Sequence, residues 1–401
     1  MAIYDDLGVR TVINGSGSLT RLGGTRMEPE TLAAMAEAAA SFVRIDELQA
    51  RAGEVIAEAT GAEAGYVVTG AAAGLALGVA ACIAGLDVAK MDQLPDTTGL
   101  KNEVVVQRGH RNAYDHAIRM AGVKFVEVGY LGYPGAGGTF AWQLEHAISE
   151  RTAAIACPVL DTPGTLSLPE VAKIARAHGI PVIVDAAASL PPRSNLRRFI
   201  AEGADLVTYS GGKAIRGPQA SGILAGRADL IASVALQHQD MDVRAETWAK
   251  RQLVRDGSIR GVPHQGFGRA MKVGREEIVG LVTALKRFAA GSDERDRADW
   301  LAKLEHVQAT LAACPYVTSA IADKAGGIPM LNITIDEPAL GKCAYDVLNE
   351  LLDGAPSIAL AESYAEFGTI GVNPHGLNDD EVEIVAQRLL ETLRPVSVHA
   401  V

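Results

Sequence analysis

Aromatic side chains are scarce in this chain: 7 Phe, 9 Tyr and 3 Trp among 401 residues, 5% in all. So small a share argues against an aromatic binding surface and for closely packed α/β layers, as do the 42 glycines. The four cysteines, Cys82, Cys157, Cys314 and Cys343, are scattered and form no CxxC pair. A zinc ribbon or a disulfide framework is therefore not expected, nor is any metal site. Cations are outnumbered, 37 Lys and Arg against 48 Asp and Glu, for a formal net charge of −11. Nucleic acid is not an expected partner, because neutralising phosphates takes clustered Lys and Arg. The opening MAIYDDLGVR carries acids and no apolar run, so a cytoplasmic protein is expected rather than a secreted one. The long uncharged run 64–86 is mostly Ala and Gly and is interrupted at Thr69-Gly70. It fits a strand, a turn and a buried helix better than a membrane span. Neither GxGxxG nor GxxxxGKS/T occurs, which removes the dinucleotide fingerprint and the Walker loop.

What remains is 48% hydrophobic, enough for a full core. Residues 1–60 read as a lead-in followed by helix over 31–60. From 61 to 265 short apolar runs alternate with helical segments, with strands expected at 65–68, 104–107, 124–128, 153–157, 180–184, 205–209 and 222–225. Most of these runs lack polar alternation, as strands covered on both faces do, and repeated βα units imply a mostly parallel sheet. Ser167 and Glu170 make a capping box at the head of SLPEVAKIARAHG, with Pro169 in its first turn. From 266 to 401 long helices precede short strands at 330–335 and 357–360, and Asn378 with Glu381 heads a last helix, a smaller α+β domain.

Ligands of open parallel sheets bind beyond the carboxyl ends of the strands, which singles out three places. After Val68, the turn Thr69-Gly70-Ala71-Ala72 enters a helix whose free amides and dipole suit a phosphate; tight helix packing would explain the small residues equally. Asp185 ends an apolar run, where a carboxylate needs a cation or donors; it is either a helix cap or an acid that holds a proton on a bound heterocycle. Lys213 follows Ser210-Gly211-Gly212 after a strand, where a desolvated amine serves as a nucleophile. A phosphate cup, an acid and a lysine in that order are what pyridoxal 5′-phosphate requires.

The segments VINGSGSLTRLGG, VVTGAAAGLALG, RGHRNAYDHAIRMAGVKFVEVG, VDAAASLPP, YSGGKAIRGPQASG, RAMKVGREEIVGLV and NPHGLNDDEVEIVAQRL resemble the selenocysteine synthase-like family of fold-type-I pyridoxal 5′-phosphate enzymes, most of all its D-glucosaminate-6-phosphate ammonia-lyase branch. The resemblance implies the α/β fold-type-I transferase fold. It makes Lys213 the Schiff-base lysine and Asp185 the partner of the pyridinium nitrogen. Gly70, Ala71 and Ala72 then offer amides to the phosphate, Ser210 adds a hydroxyl, and Ala187 lies along one ring face. His110 is the candidate to stack on the ring, with Tyr114 and His116 alternatives in the same segment.

One departure is instructive. No arginine stands in FGTIGVNPHGLN, where many fold-type-I enzymes grip the substrate carboxylate. Arg216 and Arg269 are the candidates for that task, and Arg21 and Arg26 for a distal anionic group; structural ion pairs would account for all four as well. The implied activity is elimination of water and ammonia from a 2-amino-3-hydroxy acid, phosphorylated or sugar-derived, to give a 2-keto acid. The alternatives are racemisation, aldol cleavage or β-substitution on the same scaffold, or selenocysteine synthesis on seryl-tRNA, which the negative charge and the lack of a basic N-terminal domain disfavour. The substrate is then a small amino acid, and the protein a homodimer or larger homo-oligomer.

Overall fold

The computed structural model describes residues 2–131, 138–160, 162–240, 242–323 and 326–395. Its strands are β1 Val12–Gly15, β2 Ala64–Val68, β3 Glu103–Gln107, β4 Lys124–Val128, β5 Thr152–Pro158, β6 Val182–Asp185, β7 Leu206–Ser210, β8 Gly222–Gly226, β9 Val317–Ala322, β10 Met330–Ile335, β11 Ser357–Tyr364 and β12 Thr369–Val372. The longer helices are α1 Pro29–Ala39, α2 Ile45–Thr60, α3 Gly70–Ala84, α4 Leu168–Ala177, α5 Ala228–His238, α6 Arg275–Ala289, α7 Asp293–Leu311, α8 Ala344–Asp353 and α9 Asp379–Thr392. They fall into two compact units, residues 27–290 and residues 1–26 with 291–401.

The larger unit is built on a seven-stranded sheet of order β2-β8-β7-β6-β5-β3-β4. Strands β7, β6, β5, β3 and β4 run parallel, while β8 is antiparallel to both neighbours. The apolar runs alternate between two cores: Ile183 and Leu206 belong to one, Val182, Val184 and Val207 to the other. Both faces of the sheet are covered, which is why these strands show no polar alternation. Helix α3 is apolar on every side and almost wholly buried, the pattern of a core helix. It reaches the sheet through Gly74, where a Cβ would stand 2.3 Å from Thr208 Oγ1. Among the described residues no helix is long and apolar enough to cross a membrane.

Edge strand β2 is covered by α2. Gln49, 2% exposed, donates from Nε2 to Val67 O at 2.9 Å and accepts from Val67 N–H at 3.1 Å. Its amide thus does for the free edge what another strand would do. Replacing Gln49 by Met keeps the volume and leaves both groups of Val67 buried without partners. The expected loss is about 2–4 kcal/mol of stability, measured by urea denaturation of the full chain.

The smaller unit holds a five-stranded sheet of order β1-β11-β12-β10-β9, in which only β1 and β11 are parallel. Helices α7, α8 and α9 supply its core, including Leu304, Leu348 and Leu389. Asn378 and Glu381 form the expected capping box at α9, as do Ser167 and Glu170 at α4.

Three expectations meet a different structure. The contact division falls after Ala290, so the expected boundary at 265/266 lies inside the larger unit. Residues 1–60 are no separate segment: 1–26 belong to the smaller unit through Val12–Gly15 pairing with Ser357–Leu360. Local periodicity carries no trace of a pairing so distant in sequence. The single helix expected over 31–60 is two, broken at 40–44. Asp46 and Glu47 favour a new helix start there through the dipole, with Arg44 extended at its N-cap.

Candidate active site

Register brings the three strand ends to one edge of the larger unit's sheet. Val68 is paired with Gly222 and Gly222 with Ser210; one strand over, Thr208 is paired with Asp185 and Asp185 with Pro158. Neighbouring strands lie about 4.8 Å apart, so Asp185 and the start of the Lys213 loop are delivered side by side.

The loop after β7 is closed by its own backbone. Gly211 N–H donates to Ser221 O at 2.9 Å, Gly217 N–H to Gly211 O at 2.8 Å and Arg216 N–H to Lys213 O at 2.9 Å. Side chains do not fit at its glycines: a Cβ on Gly211 would stand 2.2 Å from Ser221 Oγ, and one on Gly212 2.7 Å from Gln219 Cα. Arg216 sits at φ +58°, the single non-glycine residue at positive φ among those described, a conformation costing about 1–2 kcal/mol. Lys213, half-buried, therefore stands on a loop with little freedom.

Burial opposes charge on both Lys213 and Asp185. It pushes the Lys213 ammonium below its ordinary value, with Asp185 pulling the other way. It pushes the Asp185 carboxyl up, against the N–H of Ala187 and the charge of Lys213. Each group thus feels the other. Asp185 Oδ1 accepts from Ala187 N–H at 3.0 Å, within its own turn, and no helix begins there. The cap reading of Asp185 falls away, and Ala187 serves to orient the carboxylate.

At the end of β2, α3 opens with Gly70 at φ +79° and with the amides of Ala71 and Ala72 in its first turn, where helical amides lack partners of their own. Strand β8 closes the back of this turn. A Cβ on Gly222 would stand 2.5 Å from Gly70 C and 2.8 Å from Ala71 N. Both are backbone atoms that cannot rotate aside. Gly222→Ala is expected to displace the helix start and weaken cofactor binding about a hundredfold, whereas Gly261→Ala, with open space around it, leaves binding unchanged. Equilibrium titration with pyridoxal 5′-phosphate measures both.

His110 is buried at 5% exposure in the short turn Arg108–His110, and its Nδ1 has no hydrogen-bond partner. Burial lowers its pKa. A small cavity at Asp185 is lined by Asn112, Tyr114 and Asp115 from the following turn and by Pro158 of β5. Tyr114 thus reaches the acid's surroundings, while His116 is exposed and bonded to Arg119. Asn112 went unnoticed in the sequence, where nothing but its nearness to His110 marks it.

The four arginines are all ion-paired. Arg216 meets Glu28 at 2.7 Å, which Arg287 shares at 3.2 Å, and Arg269 meets Asp240 at 3.7 Å. These lie in the larger unit. In the smaller one Arg21 pairs with Glu362 at 3.1 Å and Arg26 with Glu381 at 2.7 Å. The Arg21 pair is about half-exposed on both sides, and such pairs contribute roughly 0–1 kcal/mol.

The groups assembled in the larger unit fit pyridoxal 5′-phosphate: an amide-lined turn backed by a glycine that admits no side chain, a desolvated amine, and an acid of raised proton affinity on the adjoining strand. Among the described residues no cluster of His, Cys, Asp and Glu would hold a metal ion.

Over 97% of its length the chain is 35% identical to a 5′-C-glycyluridine monooxygenase-decarboxylase of a Streptomyces species, covering 92% of that protein. It is likewise 35% identical to the D-glucosaminate-6-phosphate ammonia lyase of Salmonella typhimurium, with 97% of each chain covered. A solved structure of D-glucosaminate-6-phosphate ammonia-lyase superposes with a TM-score of 0.82 at 34% identity over 98% of both chains. A serine palmitoyltransferase bearing the cofactor, at 13% identity and a TM-score of 0.53 over 95% of this chain and 87% of that one, shares the fold alone. The fold is thus that of the fold-type-I pyridoxal 5′-phosphate enzymes. With the family model "SelA: L-seryl-tRNA selenium transferase" matching residues 20–247, this chain belongs to the L-seryl-tRNA selenium transferase family.

Proposed function

We propose that this protein is a pyridoxal 5′-phosphate-dependent ammonia-lyase acting on a small, phosphorylated or sugar-derived 2-amino-3-hydroxy acid. The observation that carries the reading is Asp185 at the end of β6 and Lys213 in the loop that follows its parallel neighbour β7, both desolvated, beside the amide-lined turn at Gly70. Near-full-length likeness to the Salmonella ammonia lyase supports the choice of reaction.

The bound cofactor supplies an aldehyde and an electron-accepting ring conjugated to the substrate's α-carbon. Lys213 Nζ would be the group that holds the cofactor's aldehyde, and its amine is the base that would take the proton from the substrate's Cα. Asp185 keeps a proton at the ring nitrogen. Gly70, Ala71 and Ala72 donate amides to the phosphate, with Ser210 adding its hydroxyl. His110 and Ala187 border the ring. Arg216 and Arg269 are the groups in this unit that would meet the substrate carboxylate. The β-hydroxyl departs as water and one water is taken up at C2, so the sum is one ammonia released and one 2-keto acid formed. A homo-oligomer in the cytoplasm goes with this reading.

A second reading is oxygen-dependent decarboxylation of an amino acid on the same site. It is favoured by the equal identity to the monooxygenase-decarboxylase. Incubating the holoprotein with a panel of D- and L-2-amino-3-hydroxy acids, phosphorylated sugar-derived ones included, separates the two. Ammonia and 2-keto acid in equal amounts without oxygen support the lyase. Oxygen uptake with carbon dioxide release supports the second reading. Deuterium exchange at Cα with neither product leaves racemisation and overturns both.

A further inference from the structure

Thr69 stands where a helix cap belongs and does not act as one. A threonine at this position ordinarily accepts an amide N–H from the first turn; Thr69 makes no such bond to α3. Its hydroxyl lies 2.5 Å from Met271 O and 3.1 Å from Lys272 O. Carbonyls only accept, so Thr69 donates. Met271 O accepts a second hydrogen from His238 Nε2 at 2.8 Å. That bond fixes the tautomer of His238: Nε2 carries the hydrogen, and Nδ1 accepts from the Tyr66 hydroxyl at 3.0 Å. Both rings are buried, 3% and 6% exposed, and meet edge to face.

The segment 266–272 is pressed home by its glycines as well. A Cβ on Gly266 would come 2.8 Å from Gln237 O, and one on Gly268 2.5 Å from Leu77 Cδ2 of α3. Arg269 rides on this segment, two positions before the carbonyl that Thr69 and His238 share.

We propose that Thr69 and His238 are positioning residues for the cofactor's phosphate, holding the segment 266–272 at the mouth of α3 and keeping the Thr69 hydroxyl off the helix's own amides. The N–H groups of Ala71 and Ala72 then stay unspent, and Arg269 is carried on the segment so held. The inference rests on the cofactor reading above and adds residues that the sequence did not single out. Tyr66 orients His238.

The test is equilibrium binding of pyridoxal 5′-phosphate and of pyridoxal, which lacks the phosphate, to the full chain stripped of cofactor by dialysis. Thr69→Val and His238→Phe should each weaken pyridoxal 5′-phosphate about tenfold, the effect of one hydrogen bond, while pyridoxal affinity changes by less than about twofold. Thr69→Ser, which keeps the donor, should restore the affinity. Unchanged pyridoxal 5′-phosphate binding by Thr69→Val overturns the proposal, and so does equal weakening of both ligands, the mark of a merely structural role. Should His238→Phe not fold, Thr69→Val decides alone. A wild-type chain that binds neither ligand overturns the cofactor reading instead, so the two failures are told apart.

Discussion

Lys213→Ala should abolish turnover, a fall of at least about 10⁴-fold, because one amine does two tasks that no neighbour duplicates. On the function proposed above, it would hold the cofactor's aldehyde and move the Cα proton. Lys213→Arg tests whether charge alone suffices: a guanidinium stays protonated and is no nucleophile at neutral pH, so it should be equally inactive. Activity of either variant above about 1% of wild type would remove Lys213 from the chemistry.

The same residue sets a pH dependence whose sign follows from burial. In the folded, cofactor-free chain its pKa lies below the ordinary 10.5. Between the two values the unfolded chain binds more protons, so stability rises with pH across that window. The Lys213 contribution is fully present above 10.5 and is lost as pH falls through the folded value. Urea midpoints measured from neutral pH upward should climb in wild type and lose this slope in Lys213→Ala. The rate of cofactor capture should likewise rise with pH, its midpoint below the usual lysine range.

Asp185→Asn carries the second-largest expected effect. Asp185 is buried, so its carboxylate charge beside a ring nitrogen would be little screened by water and would favour a proton there more than an exposed acid's charge would. Asparagine keeps the shape and an acceptor for Ala187 N–H but carries no charge. Turnover should fall about 10²–10³-fold, with cofactor binding weakened far less. Folding should persist, since removing a desolvated charge lifts a burial cost. Loss of cofactor with no separate loss of turnover in the loaded variant would make Asp185 an anchor and not an electronic partner.

The contrast between Lys213 and the four arginines shows where sequence reading stops. A lysine flanked by glycines at a strand end is legible because the loop's chemistry and the strand's end are both local. What an arginine meets is not local. Arg216 faces Glu28, Arg26 faces Glu381 and Arg21 faces Glu362, acids brought in from far along the chain. Likewise Thr69 lay inside a motif that drew notice for its glycine and alanines. Its partners are two backbone carbonyls at 271 and 272, and a carbonyl carries no residue-type signal.

By itself the sequence determined the seven strands of the larger unit to within about two residues, the capping boxes at Ser167 and Asn378, and the order of cup, acid and lysine. Each is written in adjacent residues: apolar runs, a hydroxyl or amide three positions before an acid, small residues at a turn. The tertiary structure alone decided that Val12–Gly15 joins the smaller sheet, that α1 and α2 are separate helices, and that Gly222 backs the turn at Gly70. It alone decided, too, that a buried histidine and a threonine meet on one carbonyl. These depend on closing loops between distant segments, and loop closure leaves no periodicity in the chain to read.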